Sequence, residues 1–166
     1  MDWNTRNAKF NELIKELFHG KGWRARADAA LKLGLLGDGR AVNLLCRALQ
    51  SEKDHAVINN IIEALGRISD PKATLNLINV IKEEIDNFKS NRLKFDKLRV
   101  IIVIESLMKI NDKRALPFIG FFLDSPMEEL KNLSQEAFDK IEPEWRRIVD
   151  KERKEKSIQD IFKRNL

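Results

Sequence analysis

One run of residues is written twice in this chain, 32 positions apart, and no other feature limits the fold so tightly. Leu33-Gly34-Leu35-Leu36-Gly37-Asp38-Gly39-Arg40-Ala41 returns as Leu65-Gly66-Arg67-Ile68-Ser69-Asp70-Pro71-Lys72-Ala73. A third copy, Glu105-Ser106-Leu107-Met108-Lys109-Ile110-Asn111-Asp112-Lys113-Arg114-Ala115, follows at an offset of 42, and a worn fourth, Gln135-Glu136-Ala137-Phe138-Asp139-Lys140-Ile141, lies 31 beyond the third. Recurrence at the length of a helix pair describes stacked units, none of which can bury its apolar face alone. A globular bundle would not require similar turns at recurring intervals.

Each position of the run has a physical reason. Leu33 and Leu36, Leu65 and Ile68, and Leu107 and Ile110 put apolar side chains three apart at the end of a helix, on the face that meets the next repeat. Ala29, Ala30, Gly34, Ala64 and Gly66 are small enough to let neighbouring helices approach closely. Asp38, Asp70 and Asp112 stand where a side-chain oxygen caps the next helix, and Pro71 takes a first helical position, where its missing N–H is not needed. A second apolar-periodic segment follows each Asp: Ala41, Leu44, Leu45, Ala48 and Leu49; then Leu75, Leu77, Ile78 and Ile81; then Leu116, Ile119, Phe122 and Leu123.

These residues resemble the HEAT-repeat family, in particular its short phycobilisome-lyase-like variety, with an Ala-rich helix ending in Leu-Gly and a Gly-Asp-Pro-Arg-Ala turn. The likeness covers roughly residues 22–142, departing from the pattern at Met108, at Lys113 and in the fourth copy, which has no Asp turn. It implies an all-α, right-handed α-α superhelix of about four helix pairs. It also implies that the helix before each Asp turn lines a concave face. The name of the variety refers to bilin lyases, yet fold does not carry chemistry with it. Some HEAT-like enzymes use repeated His-Glu pairs to hold iron, and no His-Glu dipeptide occurs here.

One domain, residues 1–166, is expected. Residues 1–21 form a cap helix with Phe10, Leu13, Ile14, Leu17 and Phe18 on one face, ended by Gly20 and Gly22. Residues 22–142 hold the repeats, and residues 143–166 form a C-terminal helical segment beginning at Pro143, with Trp145 closing the last repeat. The last apolar set, Ile158, Ile161, Phe162 and Leu166, continues the preceding helix, docks back, or serves as a partner-binding tail. Between the second and third repeats, near residues 87–99, an insertion carries Lys89, Arg92, Lys94, Lys97 and Arg99 against Asp96 alone, a net charge of +4. Phe88, Leu93, Phe95 and Leu98 are interleaved with these cations.

Charge bears on function through its distribution. The chain has 31 basic and 26 acidic side chains, largely interleaved, for a net charge of +5. That balance permits an acidic partner without demanding one, and the wealth of Lys, Arg and Glu hints at a thermophilic source. Cys46, the only cysteine, excludes an intrachain disulfide, suits a reducing cytoplasm and reads as a buried thiol. The polar start Met1-Asp2-Trp3-Asn4-Thr5-Arg6 is unlike a signal peptide, and no apolar run reaches the ~18 residues of a membrane span.

His19 and His55 are the only histidines and lack companions at metal-ligand spacing, and no Ser, Cys or acidic pair recurs beside a base. No catalytic, cofactor or metal site is expected. The reading is a non-enzymatic scaffold that binds a protein partner of unknown identity on its concave face. Its candidate contacts are Trp23, Arg24, Arg26, Lys32, Arg67 and Lys109 on the repeat helices, with Lys89, Arg92, Lys94, Lys97 and Arg99 of the insertion. The alternative is an electrostatic nucleic-acid binder that uses the same basic strip and insertion, against which Asp28, Glu63 and Glu105 interrupt the strip.

Overall fold

A computed structural model describes residues 2–152 and 157–163, and among these the regular structure is helical throughout. Contacts group the chain into two compact units, Met1–Ala73 and Thr74–Leu166.

In the first unit, helix α1 (Trp3–His19) begins where the Asp2 carboxylate accepts the Thr5 N–H at 3.0 Å. Its buried stripe of Phe10, Leu13 and Leu17 lies against α2 (Trp23–Leu36). Polar contacts fix the same packing: Arg6 donates to the Leu36 carbonyl at 3.0 Å, satisfying a helix-end acceptor. Arg40 donates to Asn7 Oδ1 at 2.9 Å and stacks over the Phe10 ring. α3 (Val42–Ser51) turns Val42, Leu45, Cys46 and Ala48 inward. α4 (His55–Ile68), capped by Asp54, then packs along α2. That crossing is close: a Cβ on Gly34 would stand 2.7 Å from Ala64 Cα. The small residues of the repeat are there for this approach.

The second unit opens with α5 (Thr74–Ser90), which buries Leu77, Ile78, Ile81 and Ile85 and also the carboxylate of Glu84. A loop leads to α6 (Lys97–Ile110), whose first turn is capped by Asp96 accepting the Arg99 N–H at 3.0 Å. α7 (Leu116–Ile119) is one turn long and passes into a 3₁₀ turn at Gly120–Phe122. α8 (Glu128–Ile141) packs against α6. α9 (Trp145–Glu152) buries Trp145 against Phe138, with the indole N–H donating to Asp139 at 2.7 Å. α10 (Ile158–Lys163) docks back on α7 and seats Phe162 on Phe138, 5.3 Å between ring centres. Gly120 makes room for it, since a Cβ there would already touch Ile158. Leu166 of the expected terminal apolar set lies outside the described residues.

The repeated run folds as a repeated turn. Gly37, Ser69 and Asn111 each end a helix in the left-handed region, with φ of 63°, 58° and 60°. The next residue, Asp38, Asp70 or Asp112, then accepts the backbone N–H two positions on at 2.9–3.0 Å and starts a 3₁₀ turn into the second helix. Turn, cap and restart are thus set by neighbours in the chain. The fourth copy lacks the device: α8 ends at Glu142 with φ −140°.

Candidate interaction surfaces

The helices that precede the first two Asp turns, α2 and α4, lie side by side, and α6, which precedes the third, lies beside α8. On α2, Trp23 is 44% exposed and carries the Arg24 guanidinium 5.0 Å from its ring centre. Arg26, two residues on, is drawn inward. It grips Glu52 with two hydrogen bonds of 2.8 and 3.1 Å, while Glu52 also accepts the N–H groups of Lys53 and Asp54. The Arg26 guanidinium, ahead of a burial penalty and helped by those two N–H groups, holds the Glu52 carboxyl at about 2. Arg26 therefore ties the start of α2 to the α3–α4 connection and leaves little charge outside. Lys32 pairs with Asp28 at 2.5 Å, and Arg67 with Glu63 at 2.7 Å, both one helical turn apart.

The insertion splits into paired and exposed cations. Arg99 lies 3.6 Å from Glu84 and 3.7 Å from Asp96, with only 12% of its side chain exposed. Lys97 pairs with Glu129 of α8, and Lys109 is exposed in the last turn of α6. Lys89 lies 5.1 Å over the Phe121 ring and Arg92 lies 4.7 Å over Phe88; Lys94 is exposed. Beneath them Phe88 meets Phe95 and Phe121 edge to face. Leu93, at the tip, is 98% exposed.

The sequence reading passes over Lys82, which stands over Phe118 at 5.9 Å on the same face of α5 as Lys89. Its seven-residue spacing from Lys89, two helical turns, is the signal that would have found it. The Glu84 anchor carries no such signal, since its partners lie on another element.

Among the described residues no group of three or more His, Cys, Asp and Glu is placed to hold a metal ion. Cys46 is buried, and that burial, with Asp70 nearby, raises its thiol above the ordinary range and away from the reactive thiolate. No described helix is long and apolar enough to cross a membrane.

Paired helices joined by recurring capped turns define the class: this is an all-α solenoid of two-helix repeats. Residues 10–89 match the family model described as HEAT repeats. No curated protein matches the sequence. Among solved structures the chain is similar to one in the complex of CpcE and CpcF of phycocyanin lyase from Nostoc sp. PCC7120, with a TM-score of 0.71 and 23% identity. The match covers 89% of this chain and 60% of that one, so this chain spans less than two thirds of its neighbour's length. At that identity the likeness concerns the fold.

Proposed function

We propose that this protein is a non-enzymatic scaffold that binds a protein partner on the face formed by the first helices of its first two repeats, α2 and α4, with Trp23 and Arg24 as contacts. One observation carries the reading. The cations expected to make that face basic are matched by acids of the same unit, as in Arg26–Glu52, Lys32–Asp28 and Arg67–Glu63. A surface of intramolecular ion pairs beside an exposed tryptophan suits a protein interface, where aromatic residues and arginine are enriched. On this face a phosphate backbone would instead call for unpaired cations in a row. The two-subunit complex containing the solved neighbour is a further support for a protein partner.

Photo-crosslinking residues placed in cells at Arg24, Lys32 and Arg67, with Asn43 and Gln50 on α3 as controls, test the proposal. Discrete protein adducts from the α2 and α4 positions alone are expected. Adducts from α3 only, or from none of these positions, would remove the first-helix face. In parallel, polarisation titrations with duplex and single-stranded nucleic acid at two ionic strengths should show no saturable binding near physiological salt. Tight binding that weakens steeply with salt would replace the protein partner with nucleic acid.

A further inference from the structure

A second surface, on α5 and α7, lies beyond this reading. Between α5, α7 and α10 is a cleft of about 170 Å³ with Ile85, Pro117 and Phe118 in its apolar part and Lys82, Lys89 and Lys163 around it. Asp86 is the one acid among the described residues that line it, and Lys163 shares Asp160 of its own helix at 3.4 Å. Lys82 and Lys89 are differently placed. Among the described residues neither has an ion pair, and both ammonium groups rest over phenylalanine rings. Beyond the cleft the cationic edge continues through Arg92, stacked on Phe88, and Lys94, on either side of the exposed Leu93.

We propose that the α5–α7 cleft, with the loop beyond it, docks an extended peptide segment of a protein partner in which acidic residues alternate with apolar ones. Charge complementarity supplies the acidic half of this chemistry. Among the described residues neither Lys82 nor Lys89 has a carboxylate within ion-pair distance, so an incoming carboxylate gains a partner and displaces none. The apolar half follows from the cleft itself and from Leu93, which offer burial to an aliphatic or aromatic side chain that the phosphate-lined exterior of a duplex does not present. A cleft of this volume takes one side chain, with the cations placed for its acidic neighbours.

Selection from a random 12-residue peptide display library with the full chain as bait, and Lys82→Glu/Lys89→Glu protein as counter-bait, tests the site. Circular dichroism is used to check that the variant remains folded. Enriched peptides should be rich in Asp and Glu with interspersed Leu or Phe, and should bind the double variant at least about ten-fold more weakly. The same peptides should bind Trp23→Ala protein as they bind the parent, which separates this site from the α2 face. Neutral or basic enriched peptides, or equal binding to the double variant, would overturn the proposal. It would also be overturned if a 20-base-pair duplex or phosphatidylserine vesicles were retained through Lys82 and Lys89 more tightly than the peptides.

Discussion

The Glu84 carboxylate lies 3.6 Å from the Arg99 guanidinium, 97% and 88% of the two side chains being shielded from water. Its second oxygen accepts the Asp96 N–H at 2.8 Å, so one buried acid fixes both ends of the turn into α6. Burial, outweighing the Asp96 N–H and the Arg99 charge, pushes the Glu84 carboxyl above the ordinary carboxylate range.

Glu84→Leu should take a buried counter-charge from Arg99 and the acceptor from the Asp96 N–H. A loss of about 3 kcal/mol in urea unfolding is expected. Glu84→Gln, which keeps an acceptor, should lose less. The raised carboxyl gives this group a sign of its own. It favours the folded state while protonated, at low pH, and that contribution is lost as pH rises through the folded value.

Glu52 behaves in the opposite way. With its carboxyl held at about 2, it contributes stability that is full above the ordinary 4.5 and is lost as pH falls toward 2. Glu52→Gln should therefore lower stability by about 2 kcal/mol at neutral pH, and the difference from the parent should shrink as unfolding is followed down toward the folded value. A difference that does not change with pH would show that the Arg26 contact is packing rather than charge.

Gly34→Ala sets a gain in helix propensity of about 1 kcal/mol against overpacking at the α2–α4 crossing. The obstacle is backbone, Ala64 Cα at 2.7 Å, which cannot swing aside, so overpacking wins and the melting temperature should fall. Gly39→Ala is the control, because a Cβ there meets nothing within 4 Å. It should be neutral or slightly stabilising.

Three turns share the left-handed residue but not its identity. Gly37→Ala should cost about 1 kcal/mol, as a Cβ is unwelcome at φ 63°. Asn111→Gly, at φ 60°, should be stabilising by a few tenths of a kcal/mol in thermal unfolding. Ser69→Gly gains less, because it gives up the hydrogen bond from Ser69 Oγ to the Gly66 carbonyl at 2.8 Å.

Asp112 does more than its counterparts. Besides the Arg114 N–H it accepts the hydroxyl of the fully buried Thr74 at 2.9 Å, from 38 residues away. Asp112→Ala should cost about 2–3 kcal/mol, one more than Asp70→Ala, since it leaves that hydroxyl unpaired. Thr74→Val in the Asp112→Ala background should recover part of the difference.

The legible part of this fold was the part written locally. Asp38, Asp70 and Asp112 marked the restart of each second helix, and the Ala-rich and Gly positions marked where helices approach closely. The candidate contacts were legible as residue types and not as charges in place. Arg26 and Arg99 read as surface cations and are held inward by Glu52 and Glu84, whereas Lys82 was passed over as an ordinary helix residue.

The sequence by itself determined the helices, their ends and the three turns, because each depends on groups within about four residues along the chain: a left-handed residue, an Asp accepting an N–H two positions on, an apolar side chain every third or fourth place. Only the tertiary structure decided which charges stay in water. Arg26 and Glu52 are 26 residues apart, and Lys97 and Glu129 stand on different helices. Whether such a pair closes depends on how helices pack, and Coulomb attraction between exposed charges falls away within about 8–10 Å.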